Sequence, residues 1–209
     1  MSGKFPLQVA SLFAGTASAL LFGQAQPAPP VQGVAEPPKP PVHHLVPPLK
    51  EGDMPCDSKD QQPVIVGLTT REVILSHRAI FKTNMDKVPL PEDLKKRWQA
   101  LSTPCVLVVA FGSWCGDSQR ELPELLALMT EENPFVKVQL VGAYRDKKVA
   151  PGVWPKGLEE QPVAKVPTFW HYVLQPGGAY KLAGSIVENP PKKGQRMAEA
   201  LVDLLEQAK

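Results

Sequence analysis

The chain has 209 residues, a formal net charge of +2 and 43% apolar residues. That is enough for one domain of ordinary size with a tail, and too nearly neutral for a protein built to hold a polyanion. No basic stripe with interleaved aromatics runs through it, so no nucleic-acid partner is expected.

Lys4 precedes an apolar run over residues 5–22, rich in Ala, Leu and Ser, and Gly23-Gln24-Ala25 supplies a small-x-small cleavage site. This pattern reads as a Sec-type signal peptide over residues 1–25. An uncleaved anchor is the alternative, since residues 5–23 are long enough to span a bilayer, and only then is a membrane a partner. No cysteine follows at lipobox distance. Either way the rest of the chain is expected in the periplasm or otherwise outside the cytoplasm. Residues 26–62 form a Pro-rich linker, with nine prolines between Pro27 and Pro48. It buries too little apolar surface to fold and is expected to be an extended tether. The pair His43-His44 lacks further ligands and reads as solvated, so no metal is expected, and no cofactor.

The globular part is expected over residues 63–209. Residues 64–66 read as a short buried strand. Thr69 or Thr70 with Glu72 opens a helix whose Val73, Ile74, His77, Ile80 and Phe81 share one face, His77 being a core histidine. Pro91 starts a second helix with Leu94, Trp98 and Leu101 inward. Residues 106–110 are an apolar strand, followed by a helix with Leu122, Leu125, Leu126 and Met129 inward. Residues 136–144 are apolar on both faces, as a central strand requires, and Arg145-Asp146-Lys147-Lys148 ends that strand at the surface. Residues 169–174 and 180–187 flank Pro176-Gly177-Gly178 as a hairpin. Met197, Leu201, Leu204, Leu205 and Ala208 then mark a last amphipathic helix.

The run Phe111-Gly112-Ser113-Trp114-Cys115-Gly116-Asp117-Ser118 places one cysteine where a strand hands over to a helix. There the unsatisfied backbone N–H groups and the macrodipole favour an anionic sulfur, and thiolates are the reactive form. Asp117 acts in both directions, complementing the dipole while opposing an adjacent thiolate.

Trp114-Cys115-Gly116 after a buried strand resembles the thioredoxin active site. Three further landmarks carry the resemblance: Pro123 in the following helix, Val166-Pro167-Thr168 as the cis-proline loop, and Gly177-Gly178 in the terminal hairpin. It covers residues 63–209. Gln119-Arg120-Glu121-Leu122-Pro123 after Trp-Cys-Gly-Asp-Ser, and residues 184–188 after the hairpin, are similar to bacterial exported members of that family. The resemblance implies an α/β thioredoxin fold, a central mixed sheet flanked by helices. Cys115 would be the nucleophile, and Trp114, Gly116, Asp117, Val166 and Pro167 would contact substrate, with the backbone of Val166 beside the sulfur pairing with a substrate strand.

Two departures matter. Ser118 stands where a dithiol thioredoxin has its second cysteine, and Val109 stands where the family has a buried aspartate. A hydroxyl cannot resolve a mixed disulfide, so Ser118 is expected only to donate a hydrogen bond to the sulfur. Release then needs another thiol, from the substrate or from an external reductant, and the partners are protein or small-molecule disulfides and thiols. Cys105 opens the strand that ends at the motif, roughly 20–30 Å from Cys115 at ~3.3 Å per residue, and is not the resolver. The tether of Cys56 reaches either cysteine. Three cysteines in an exported chain favour a Cys56–Cys105 bridge with Cys115 free, the alternative being Cys105 as a buried, inert thiol.

The reading that follows is an extracytoplasmic monothiol exchange protein. A binding or chaperone-like module that keeps the groove without the chemistry is the alternative. Two others are set aside: a cluster-sharing monothiol glutaredoxin by the tryptophan and the export signal, and a peroxiredoxin by the lack of Thr and Pro upstream of the cysteine.

Overall fold

In chain order the elements are β1 (Gly67–Thr69), α1 (Arg71–His77), α2 (Ala79–Lys87), α3 (Glu92–Ala100), β2 (Cys105–Phe111), α4 (Gly116–Leu128), β3 (Val136–Gly142), β4 (Thr168–Leu174), β5 (Tyr180–Val187) and α5 (Met197–Glu206). They come from a computed structural model that describes residues 54–57, 59 and 61–207. The signal-like segment, His43-His44 and the proline-rich tract up to residue 53 lie outside the described residues.

The strands form one mixed sheet in the order β1-β3-β2-β4-β5. β2 and β3 are parallel, and the remaining pairs are antiparallel. This is the α/β fold that the sequence implies. All seven residues of β2 are buried, as a strand covered on both faces must be. Its period-2 alternation sorts the core. Leu107, Val109 and Phe111 point to the face on which α1, α2, α4 and α5 lie, against Ile74, Phe81, Leu125 and Leu201. Val106, Val108 and Ala110 point to the other face, where no helix among the described residues packs. Val153, Trp154, Leu158 and Val166 of the long connection between β3 and β4 close it instead. Two bonds stitch that irregular strap to the sheet: Gln139 Nε2 donates to Val153 O at 2.7 Å, and Tyr172 OH donates to Glu159 O at 2.6 Å. Trp154 meets Trp170 edge to face at 5.2 Å.

Helix α4 carries a proline in its interior. Pro123 has no N–H for the carbonyl of Gln119, one turn back. Asn84 of α2 supplies the missing donor, its Nδ2 reaching Gln119 O at 2.8 Å. Glu124 crosses to the start of α5, where it accepts from Ala198 N at 2.8 Å and from Arg196 Nε at 3.0 Å; a carboxylate is favourable at a helix N-terminus. Helix α3 sits at the opposite end of the sheet from the Trp-Cys-Gly segment, burying Leu94 and Trp98 against Leu205 and Cys105.

Three sequence expectations need correction. Residues 64–66 are buried but form no ladder; β1 begins at Gly67. The reason is local: Ile65 N donates to Ser113 Oγ at 3.1 Å instead of to a strand, and the neighbouring strand approaches so closely that a Cβ at Gly142 would sit 2.3 Å from Ile65 O. The helix expected across Val73 to Phe81 is two helices. Arg78 is extended (φ −136°, ψ 123°) and its guanidinium reaches Pro63 O at 3.3 Å. Ile80 is left exposed, while Phe81 turns inward onto Phe111. Residues 54–57, expected to belong to the extended tether, lie against the domain instead: Met54 packs on the core, and Asp57 is buried and bonded to Arg145, as described below.

Candidate active site

Between β2 and α4 the chain makes a tight turn that is bonded from every side. Cys115 N donates to Gly112 O at 2.9 Å. Gly112 N donates to Ser118 Oγ at 3.1 Å, and Gln119 Nε2 donates to Ser113 O at 2.9 Å. Ser113 is fully buried and accepts from Ile65. Cys115 is the N-cap residue of the thirteen-residue α4, so its side chain sits where free backbone N–H groups and the positive end of the helix dipole converge. The thiol is free and half-buried.

The sulfur's partner is the loop before β4. The Val166–Pro167 bond is cis, and Cys115 Sγ donates to Val166 O at 3.3 Å. This puts the backbone of residue 166 next to the nucleophile. Glu188 N in turn holds Pro167 O at 2.7 Å. Ser118 does not bond the sulfur as the sequence reading expects. It is fully buried, and its hydroxyl serves as acceptor for the Gly112 N–H. Its role is to hold the turn, because a buried amide without a partner is costly.

Gly116 opens α4 with nothing within 4 Å of where a Cβ would stand, so the surface beside Cys115 is open to an approaching chain. Asp117 is paired: Arg120 Nη2 donates to its Oδ1 at 2.9 Å, and the same guanidinium reaches Asn189 Oδ1 at 2.8 Å and Glu121 Oε1 at 2.6 Å. The Arg120 cation thus offsets the charge of the carboxylate two residues after Cys115. Lys165, next to Val166, is tied to Glu188 at 2.6 Å.

Trp114 has its ring over Gly112; a Cβ there would lie 2.6 Å from its Cε2. Its Nε1 donates to Ala143 O at 3.1 Å, and the Arg145 guanidinium stacks on it at 4.7 Å. Arg145 Nε in turn donates to both oxygens of Asp57, at 2.8 and 3.0 Å, and its Nη2 also reaches Asp57 Oδ2. Asp57 is buried, and the Arg145 hydrogen bond holds its carboxyl below the usual range against the opposing effect of desolvation. Neither Asp57 nor Arg145 stands out in the sequence, being 88 residues apart in polar runs.

All three cysteines are free, which corrects the expected Cys56–Cys105 bridge. Cys105 is buried at the β2 end away from the motif, among Leu128, Val136 and Val202, and desolvation pushes its thiol up to about 12. Cys56 is exposed at the other end, pairing across a short hairpin with Pro63 and lining the same cavity as Trp114 and Arg145. Opposite ends of a seven-residue strand lie roughly 20 Å apart, beyond disulfide reach. Among the described residues no three His, Cys, Asp or Glu side chains gather as metal ligands, and no helix is long and apolar enough to cross a membrane.

No match was found among the curated proteins. Two solved structures align with the chain at 24% identity. One is a protein of unknown function from Pseudomonas aeruginosa, covering 67% of this chain and 84% of that one with a TM-score of 0.40. The other is an HIV epitope-scaffold, covering 68% and 88% with a TM-score of 0.41. A family model described as thioredoxin matches residues 71–192. That span is more than half of the chain and takes in Cys115, Pro123 and the Val166–Pro167 loop; the chain belongs to the thioredoxin family.

Proposed function

We propose that the protein catalyses thiol–disulfide exchange outside the cytoplasm through one cysteine, Cys115. The observation that carries this reading is the placement of a free, half-buried thiol at the start of α4, with the Val166 carbonyl 3.3 Å from its sulfur. The thiolate attacks one sulfur of a substrate disulfide. A Cys115–substrate S–S bond forms, the substrate S–S bond breaks, and the departing sulfur leaves as a thiolate that takes up a proton from water. Oxidation state is conserved overall, so the step needs nothing beyond the substrate disulfide. Ser118 cannot resolve the adduct, because it has no thiol and its hydroxyl is engaged by Gly112. A second thiol completes the cycle. Where it belongs to the substrate the outcome is isomerisation; where two small thiols or one dithiol reductant take the disulfide bond over, being oxidised to their own disulfide, the outcome is reduction. Substrate strands pair along the backbone of Val166, flanked by Trp114, Gly116 and Asp117. The export reading rests on Lys4, the apolar run over residues 5–22 and Ala25, and N-terminal sequencing of the protein recovered from an exporting host checks cleavage after Ala25.

The test is to incubate the protein with oxidised glutathione and with a disulfide-bonded peptide, then map adducts by mass spectrometry. Adducts confined to Cys115, released by added thiol and absent in Cys115→Ala, are the expected result. A wild-type protein that forms no adduct with either probe yet retains the peptide would overturn the exchange reading in favour of a binding module, which Val109 and Ser118 favour by lacking the dithiol machinery.

A further inference from the structure

Arg145 ties together three parts of the chain that the reaction as described leaves unconnected. Its guanidinium is held by Asp57, whose side chain is 0% exposed, and its flat face lies on Trp114 at 4.7 Å. Trp114 is also fixed by its Nε1 bond to Ala143 O at 3.1 Å and by the absence of a side chain at Gly112. An indole stacked by Arg145, packed close over Gly112 and bonded at its nitrogen is a preorganised wall rather than a mobile cover. Lysine could not do the same, because the arrangement uses the planar fork for Asp57 and the planar face for the ring at once.

This wall borders a cavity of about 300 Å³ on the β3 side of the motif, with Val64, Trp114 and Tyr144 as apolar surfaces and the Cys56 thiol at its rim. Among the described residues, Tyr144 is one of the few large hydrophobic side chains left exposed, at 41%. The charges around the cavity are matched internally, Arg145 by Asp57 and Asp146 by Lys148 at 3.0 Å. Among the described residues lining it, a charged ligand therefore meets only charges that are already matched, whereas an apolar ring meets two aromatic side chains. Strand order places the cavity at the β3 edge and Val166 at the β4 edge, with Cys115 between them at the end of β2. Trp114, the residue before Cys115, lines the cavity, so a substrate strand that paired with Val166 and crossed the sulfur would bring its next side chain towards it.

We propose that Asp57 and Arg145 are positioning residues that hold Trp114 as one wall of a substrate subsite, and that this subsite takes the apolar or aromatic side chain next to the substrate's disulfide cysteine. The proposal rests on the exchange reading above. It makes the protein selective for polypeptides whose cysteine has a hydrophobic neighbour, the kind exposed in unfolded or misbridged chains.

The test uses the full chain, a small thiol reductant and two disulfide-linked peptides identical except for Phe or Gly beside the cysteine. The wild type should show a KM roughly tenfold lower for the Phe peptide, the scale on which apolar pockets discriminate, with kcat alike for both. In Arg145→Ala and Asp57→Asn the preference should shrink to within about twofold, while Arg145→Lys, which keeps the charge and loses the stacking, should fall between. Tyr144→Ala removes the exposed wall without touching the clamp, so it reports on the subsite even if the clamp variants misfold. Equal KM values in the wild type, or a preference that survives both Arg145→Ala and Tyr144→Ala, would overturn the subsite and leave the exchange reading intact. Failure of the wild type to react with either peptide through Cys115 would remove both.

Discussion

Strand β2 has a thiol at each end, and the two could hardly differ more. Cys105 is 4% exposed, packed among aliphatic side chains, and burial pushes it up to about 12. Cys115 lies just beyond the other end, half-buried at a helix N-cap, with a backbone carbonyl as neighbour and open space over Gly116. The same functional group is inert or available according to what surrounds it: at Cys105 a low-dielectric interior disfavours the anion and shuts out reagents, whereas the Cys115 sulfur is within their reach. Competitive alkylation at pH 7 with iodoacetamide under native conditions tests this contrast most severely. Cys115 should react at least ~10³ times faster than Cys105, and the gap should close in urea, where both become ordinary thiols. Comparable native rates would mean that the buried end opens readily.

How much of this contrast was legible beforehand depended on the range of the interaction. Strand-to-helix handover at Cys115 is written in local pattern: an apolar run, a glycine-bearing turn, then inward leucines at helical spacing. The hairpin around Gly178, whose φ of +81° requires glycine, is equally local. The role of the Ser118 hydroxyl is not legible locally, because the donor it serves, the Gly112 N–H, belongs to the turn geometry rather than to any side-chain pattern. The clamp of Asp57 on Arg145 was invisible because each residue looks like ordinary surface charge in its own segment. The break at Arg78 is hidden for a similar reason: Ser76, His77 and Arg78 all tolerate a helix, and contacts distant in sequence, such as that of Arg78 with Pro63 O, accompany the extended backbone. The strap over the second sheet face shows the same limit. Val153, Trp154 and Leu158 have no periodicity, and their apolar character makes sense only against Val106 and Val108.

The burial that silences Cys105 also acts on His171, in the adjacent strand β4 opposite Leu107. It is 1% exposed, and desolvation pushes its imidazole down to about 4 from the ordinary 6.5. The folded state therefore binds fewer protons than the unfolded state between those values, and stability rises with pH across that window. Going down from pH 7 to pH 4, the protein should lose about 2–3 kcal/mol through this group. Urea midpoints measured at pH 7, 5.5 and 4.5 check the slope, and His171→Leu should flatten it. An unchanged slope in that variant would assign the acid sensitivity over this range to other groups, but not to Asp57, whose depressed carboxyl makes a contribution that is lost only when pH falls below the ordinary carboxylate value.

A smaller effect separates the two ends of β2 by what each contributes to the fold. Ser118→Ala removes the acceptor of the buried Gly112 N–H, and Cys105→Ala removes a buried sulfur from packing against Leu128 and Val202. Each should cost about 1–2 kcal/mol by urea denaturation, the first through an unsatisfied amide and the second through a small void. Their consequences for Cys115 should part. The Gly112 amide anchors the turn whose carbonyl receives the Cys115 N–H, so Ser118→Ala loosens the placement of the sulfur against Val166 and should alter the alkylation rate of Cys115 severalfold. Cys105→Ala, acting at the far end of a fully laddered strand, should leave that rate unchanged. If both variants shift it alike, β2 transmits disturbance along its length, and the independence of its two ends fails.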